Sequence, residues 1–146
     1  MLKLFVGLII AMSIIKPTFA HEWQTLCPNN QFCFDYPEGL SNSDTAVLDS
    51  TAGKLASKQF ELFYDYGLYS SDFNELTDSK TKAVTIDGKA ATQFITSKTF
   101  GLYFAQAKFV PEMNSYLKLS IELRFVEKPD HALVDKIFNS VRFMND

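Results

Sequence analysis

Residues 116–125 read YLKLSIELRF. Leu117, Leu119, Ile121, Leu123 and Phe125 fall on one side of this segment, and Lys118, Ser120, Glu122 and Arg124 on the other. A period of two is the signature of a strand with one buried face and one wet face. A slip of one residue would turn every one of those apolar side chains to water, so the register is expected to be firm. A sheet with a single apolar side must cover that side with another layer, which sets the fold class.

The covering layer is expected on the C-terminal side. Pro129 suits a first helical position, and Asp130 suits the positive end of the helix dipole. Leu133, Val134, Ile137, Phe138 and Val141 recur at helical spacing. Asn139-Ser140 ends the helix, and residues 141–143 return to the sheet or core.

Upstream the pattern is again mostly period two. Strands are expected over 31–36, 45–49, 54–66, 80–86, 89–97 and 102–110. The first is stopped by Pro37-Glu38-Gly39, and a turn is expected over residues 50–53. In the long segment 54–66, Phe60, Leu62, Tyr64 and Tyr66 share one face. Asp87-Gly88 is a two-residue hairpin signal, and Pro111-Glu112-Met113-Asn114 a turn. Residues 68–79 read as a loop, with one helical turn around residues 72–76 capped by Ser70 or Ser71. The expected fold is α+β: an antiparallel sheet of about six to seven strands packed against a C-terminal helix.

The first twenty residues, MLKLFVGLIIAMSIIKPTFA, have a different character. Lys3 gives a short positive start, and an apolar run extends from Leu4 to Ile15. Pro17 ends it, with small residues Thr18 and Ala20 three and one before a cut after Ala20. This is the pattern of a secretory signal peptide, and the run is short for a bilayer core of about 30 Å. Residues 21–146 are then one domain, periplasmic or secreted, not membrane-embedded after cleavage, with His21 as its first residue. The whole chain carries a formal net charge of −3, and the leader holds two lysines and no acid, so the remainder is more acidic still. An acidic domain without a basic run argues against nucleic acid and against anionic membranes.

Cys27 and Cys33 stand in LCPNNQFCF. In an oxidising compartment such a pair is expected to close as a disulfide, and Pro28-Asn29-Asn30 is turn chemistry that brings the sulfurs together. A redox motif would separate them by two residues, whereas here there are five.

Three short motifs resemble the Mog1p/PsbP-like family of α/β sandwiches. FCFDYPEGL is similar to that family's opening, IDGKAA to its hairpin before a strand, and IFNSVRF to its closing helix and strand. The resemblance spans most of residues 31–143. It implies the sandwich fold and a binding or assembly role, with no shared catalytic residues to carry over.

The residues themselves show no evident catalytic site. The two histidines are His21 and His131, the latter expected exposed in the helix's first turn. No Gly-x-Ser-x-Gly elbow or Gly-rich phosphate loop is present. No cofactor or metal is implied, although a terminal His21 offers an amine and an imidazole to copper. Asp65, Glu61 and Asp35 could serve a carboxylate-dependent hydrolase if they met. The segment FELFYDYGLYSSDF (60–73) is the most unusual. Tyr66 and Tyr69 crowd a glycine, and Phe63 falls on the polar side of its strand, so it either packs under the helix or marks an exposed patch. Phe63, Tyr66, Tyr69, Asp72 and Phe73 are therefore the candidate surface for an envelope protein or small ligand. The function expected is an exported soluble binding or assembly module of the cell envelope.

Overall fold

The computed structural model describes residues 22–45 and 49–144. The expected leader and His21 lie outside the described residues, as do residues 46–48 of the short strand expected over 45–49. Among the described residues no helix is long and apolar enough to cross a membrane.

Ten strands, one α-helix and two single-turn 3-10 helices (Pro28–Asn30 and Pro111–Met113) are found among the described residues. Seven strands form one antiparallel sheet: β3 (Ser41–Thr45), β4 (Ser50–Ala56), β5 (Phe60–Gly67), β6 (Lys80–Ile86), β7 (Lys89–Ile95), β8 (Thr99–Val110) and β9 (Ser115–Phe125). Their spatial order is β3-β4-β5-β9-β8-β7-β6. The quoted strand is thus the centre of the sheet. Leu119, Ile121 and Leu123 are fully buried. They stand opposite Tyr66, Tyr64 and Leu62 of β5 and Phe104, Leu102 and Phe100 of β8.

The cover is a second sheet and the helix, which is more than the sequence suggested. β1 (Trp23–Leu26), β2 (Phe32–Pro37) and β10 (Arg142–Phe143) form a three-stranded sheet with β2 in the middle. Phe32 and Phe34 of β2 are fully buried against the inner face of the large sheet. The Phe34 ring lies 5.7 Å from that of Tyr64, and the Phe32 ring 5.5 Å from that of Tyr66. The helix α1 (His131–Asn139) lies on the same side and buries Val134, Ile137 and Phe138. Asp130 is its N-cap, with its carboxylate accepting from the Leu133 N–H at 3.0 Å. Pro129 therefore precedes the cap and does not begin the helix: a carboxylate that satisfies a free N–H fixes the start more firmly than a proline ring. The expected return of residues 141–143 is β10, whose Arg142 stands opposite Cys33.

Two boundaries differ from the sequence reading for one reason. Residues 50–66 are not a turn and a long strand but a hairpin of β4 and β5. The Ser57 hydroxyl accepts from the N–H groups of Gln59 and Phe60 at 3.1 and 3.2 Å. Thr96 does the same between β7 and β8, accepting from Thr99 N–H at 2.9 Å. Hydroxyl-built turns need neither Gly nor Pro, so apolar alternation runs through them unbroken. Gly53, expected in a turn, instead sits inside β4, because the Tyr64 ring lies where its side chain would be. The Asp87-Gly88 hairpin is found as expected, with φ of +51° and +72°.

The Cys27 and Cys33 sulfurs are at bonding distance, 2.07 Å. The bridge clips β1 to β2 across the turn Pro28–Asn30. Closing so short a loop restricts the unfolded chain by about 2 kcal/mol. Replacing both cysteines with serine is expected to lower the unfolding free energy by that amount, read from urea denaturation, and dithiothreitol should destabilise the parent but not the variant.

Candidate functional site

A shallow trough of about 770 Å³ runs along β6, β7 and β8; two smaller hollows lie at the end of the sandwich and on the outer face of the large sheet.

The end pocket encloses about 560 Å³. It opens where the two layers splay apart, beside the first turn of α1. The turn at Pro37-Glu38-Gly39 forms one wall, with Gly39 at φ +91°. The β4–β5 hairpin forms a second wall, and the β9–α1 connection a third. These walls are tied together: Val126 N–H donates to Gln59 O at 2.9 Å, and the Lys98 ammonium donates to Val126 O at 3.1 Å. Leu40, Phe60, Phe125 and Leu133 give an apolar floor, with the two phenyl rings 5.5 Å apart. Glu38, Lys58, Glu127 and Lys128 give a rim of both signs. Val126 stands at the mouth, 59% exposed. An apolar hollow with a few polar groups at its edge is the usual form of a small-molecule site.

The outer cavity is an open hollow of about 230 Å³ beside the loop joining β5 to β6, which contributes Ser71 and Phe73 to its lining. This loop, residues 68–79, does not stand free and contains no helical turn. It folds as a strap across the polar face. Ser70 is buried, and its hydroxyl lies within donating distance of Asp65 O at 2.9 Å and Lys118 O at 3.1 Å. Phe73 follows with φ +59°, an unusual value for a bulky residue. Its ring packs 5.4 Å from Phe94 and lies directly over Gly101, where any side chain would strike it. The face read as wet is thus dry at its centre, and Ser120 is only 5% exposed.

Charged pairs frame this cavity. The Arg124 guanidinium grips Glu122 through two hydrogen bonds of 2.6 and 3.2 Å. That bond raises the Arg124 pKa above its ordinary value, against the opposing effect of burial. Lys54 pairs with Glu61. Between the two cations lies the Phe63 ring, 5.2 Å from the Lys54 ammonium and 4.6 Å from the Arg124 guanidinium. Phe63 therefore neither packs under the helix, which is on the opposite face of the sheet, nor forms a bare apolar patch. Near the strap, burial raises the Tyr103 pKa and the charge of Asp72 adds to it.

The sequence candidates are divided by this arrangement. Phe63 and Phe73 line one cavity together. Tyr66 points the other way, into the core, and is 5% exposed. Tyr69 is 83% exposed, and Asp72, also exposed, accepts from Asn74 N–H at 3.1 Å. The three carboxylates considered for hydrolysis do not meet. Glu61 is held by Lys54, and Asp35 sits on the small sheet with Arg142 at 3.3 Å and Thr25 at 2.7 Å. His131 stands edge-on to Phe100 at 5.2 Å. No group of three metal-ligating side chains is found among the described residues. The sequence reading missed Ser71, Ser120, Glu122 and Arg124 at the outer cavity and the whole end pocket. The former looked like an ordinary solvated face, and the latter is assembled from three separate segments.

No family model matches the chain, and neither a curated protein nor a solved structure was found to be similar to it.

Proposed function

We propose that this chain is an exported binding module of the cell envelope, and that its end pocket takes an amphipathic small molecule. The observation that carries the reading is the 560 Å³ hollow with an apolar floor and a charged rim. Its volume lies within the range of ordinary ligand sites. A ligand with an apolar body would cover Leu40, Phe60, Phe125 and Leu133, while its polar end stays at the rim. Because the rim carries both signs, the apolar body supplies affinity and the head group only orientation. The twelve-residue apolar run of the leader and the Cys27–Cys33 pair support export. A binding role also agrees with the resemblance to Mog1p/PsbP-like proteins, but the proposal rests on the pocket and not on that likeness.

Anilinonaphthalene sulfonate is a suitable probe. Its fluorescence is expected to rise saturably with the native chain. Leu40→Glu and Val126→Glu should each weaken the binding about tenfold by placing charge in the apolar contact. Replacing the exposed rings Phe109 and Tyr116, far along the β8–β9 hairpin, should change nothing. Equal binding by the pocket variants would refute the assignment. The export half is checked separately by N-terminal sequencing of the protein recovered outside the cytoplasm, which should begin at His21.

A further inference from the structure

We propose that the free edge of β6 takes up an extended acidic peptide as an added strand of the large sheet. This surface is separate from the end pocket and does not depend on it. β6 closes the sheet, and among the described residues its ladder partner is β7 alone. The edge is long and regular. All seven residues from Lys80 to Ile86 pair with β7 in one unbroken register, and Lys80, Thr81, Lys82, Ala83 and Thr85 are exposed. Alternate residues of such a strand direct their N–H and C=O groups to the unpaired side. Sheets commonly blunt an edge with proline or a bulge, and β6 has neither a proline nor a register shift.

Charge guards this edge instead, and that charge selects the partner. Lys80 and Lys82 project from the same side of β6, and the strand carries no acid. Neither lysine forms an ion pair among the described residues. A second copy of β6, pairing antiparallel about Ala83, would set its Lys82 diagonally beside the first, with no carboxylate between them. Like charges at that range repel. A strand with two acids, two residues apart, would instead place one carboxylate opposite Lys82 and the other opposite Lys80. Opposite charges across a ladder are favourable, so the complementarity is to an acidic strand and not to a copy of this chain.

The other side of β6 supplies the rest of the pattern. Ala83 and Thr85 form one bank of the 770 Å³ trough, which continues over Ala90, Thr92 and Tyr103. Ala83 stands opposite Thr92, and Thr92 opposite Tyr103, so these side chains share a face. Large side chains of an added strand reach diagonal neighbours across the ladder, and the trough leaves them room. Lysines alone are enough to keep strands away, whereas a hollow beside the edge gives an added strand something to fill. In strand addition the main chain supplies affinity and alternate side chains supply specificity. The fitting peptide carries acids on one side and large apolar residues on the other.

Fluorescence anisotropy of a labelled, end-capped peptide, Phe-Val-Phe-Glu-Thr-Glu, tests the proposal. Antiparallel addition sets its glutamates opposite Lys82 and Lys80 and its second phenylalanine opposite Ala83. It should bind saturably in the millimolar range or tighter, and the lysine counterpart Phe-Val-Phe-Lys-Thr-Lys at least about fivefold more weakly. Lys80→Glu combined with Lys82→Glu should invert that preference without changing the melting temperature, because both side chains are exposed. Of two peptides N-methylated on alternate residues, one should bind about as the parent does and the other at least about tenfold more weakly, since only one set of N–H groups faces β6. The proposal is overturned if the acidic peptide does not bind, if both charge forms bind equally, if the double variant keeps the native preference, or if neither N-methylated peptide is weakened. A dimer in sedimentation that the peptide disperses would also overturn it, by placing a second copy at this edge.

Discussion

Phe34→Ala is expected to lower the unfolding free energy by about 4 kcal/mol, the usual scale for emptying a buried phenylalanine site. The ring is fully buried and is a central link between the two sheets. It lies 6.1 Å from Phe32, 5.7 Å from Tyr64 and 6.2 Å from Tyr36. Its neighbours belong to two hydrogen-bonded sheets, which cannot close the void without breaking their ladders, so little relaxation is available. The loss should appear in urea denaturation as a lower midpoint with an unchanged slope. Phe109→Ala is the contrast. Its ring is 45% exposed at the far end of the β8–β9 hairpin, and removing it should cost far less. A Phe34→Ala loss no greater than that of Phe109→Ala would contradict the two-layer core.

Gly101→Val is the second large effect, expected at about 3 kcal/mol, the upper part of the overpacking range. A Cβ on Gly101 would stand 2.9 Å from two carbons of the Phe73 ring, inside van der Waals contact. The sheet beneath cannot move, because Gly101 is paired on both sides, to Phe94 and to Glu122. The strap must yield instead. Phe73 would lose its place beside Phe94, and the outer cavity would lose one wall. The expected signature is local as well as global: faster hydrogen exchange and proteolytic cleavage within residues 68–79, together with a lower melting temperature. A variant as stable as the parent, with the strap still protected, would show that Phe73 is not seated on this glycine. Because valine ordinarily favours strands, intrinsic propensity works against the prediction, and the steric term has to exceed it.

Gly101 also shows where reading along the chain stops. In sequence it is an unremarkable glycine after a phenylalanine, and Phe73 lies 28 positions earlier in a loop. Only the sheet order, which sets β8 between β9 and β7 under the strap, brings them together. Tyr66 is the reverse case. Its crowding with Tyr69 suggested a shared surface, yet the two are separated by the face of the sheet and by the end of β5 at Gly67. Strand parity alone placed Tyr66 with Phe60, Leu62 and Tyr64, and the core obeys that parity.

The sequence by itself determined whatever depends on short-range periodicity and turn chemistry. That includes β9 and its buried apolar face, the Asp87-Gly88 hairpin, the apolar stripe of the helix, and the cysteine pair across a six-residue separation. The tertiary structure decided what depends on which faces meet. It split the cover into a small sheet and a helix, laid the strap over a face that alternation marks as wet, and gathered the end pocket from distant turns. The physical reason is that side-chain alternation says which way a residue points from its own strand, whereas a cavity exists only between surfaces.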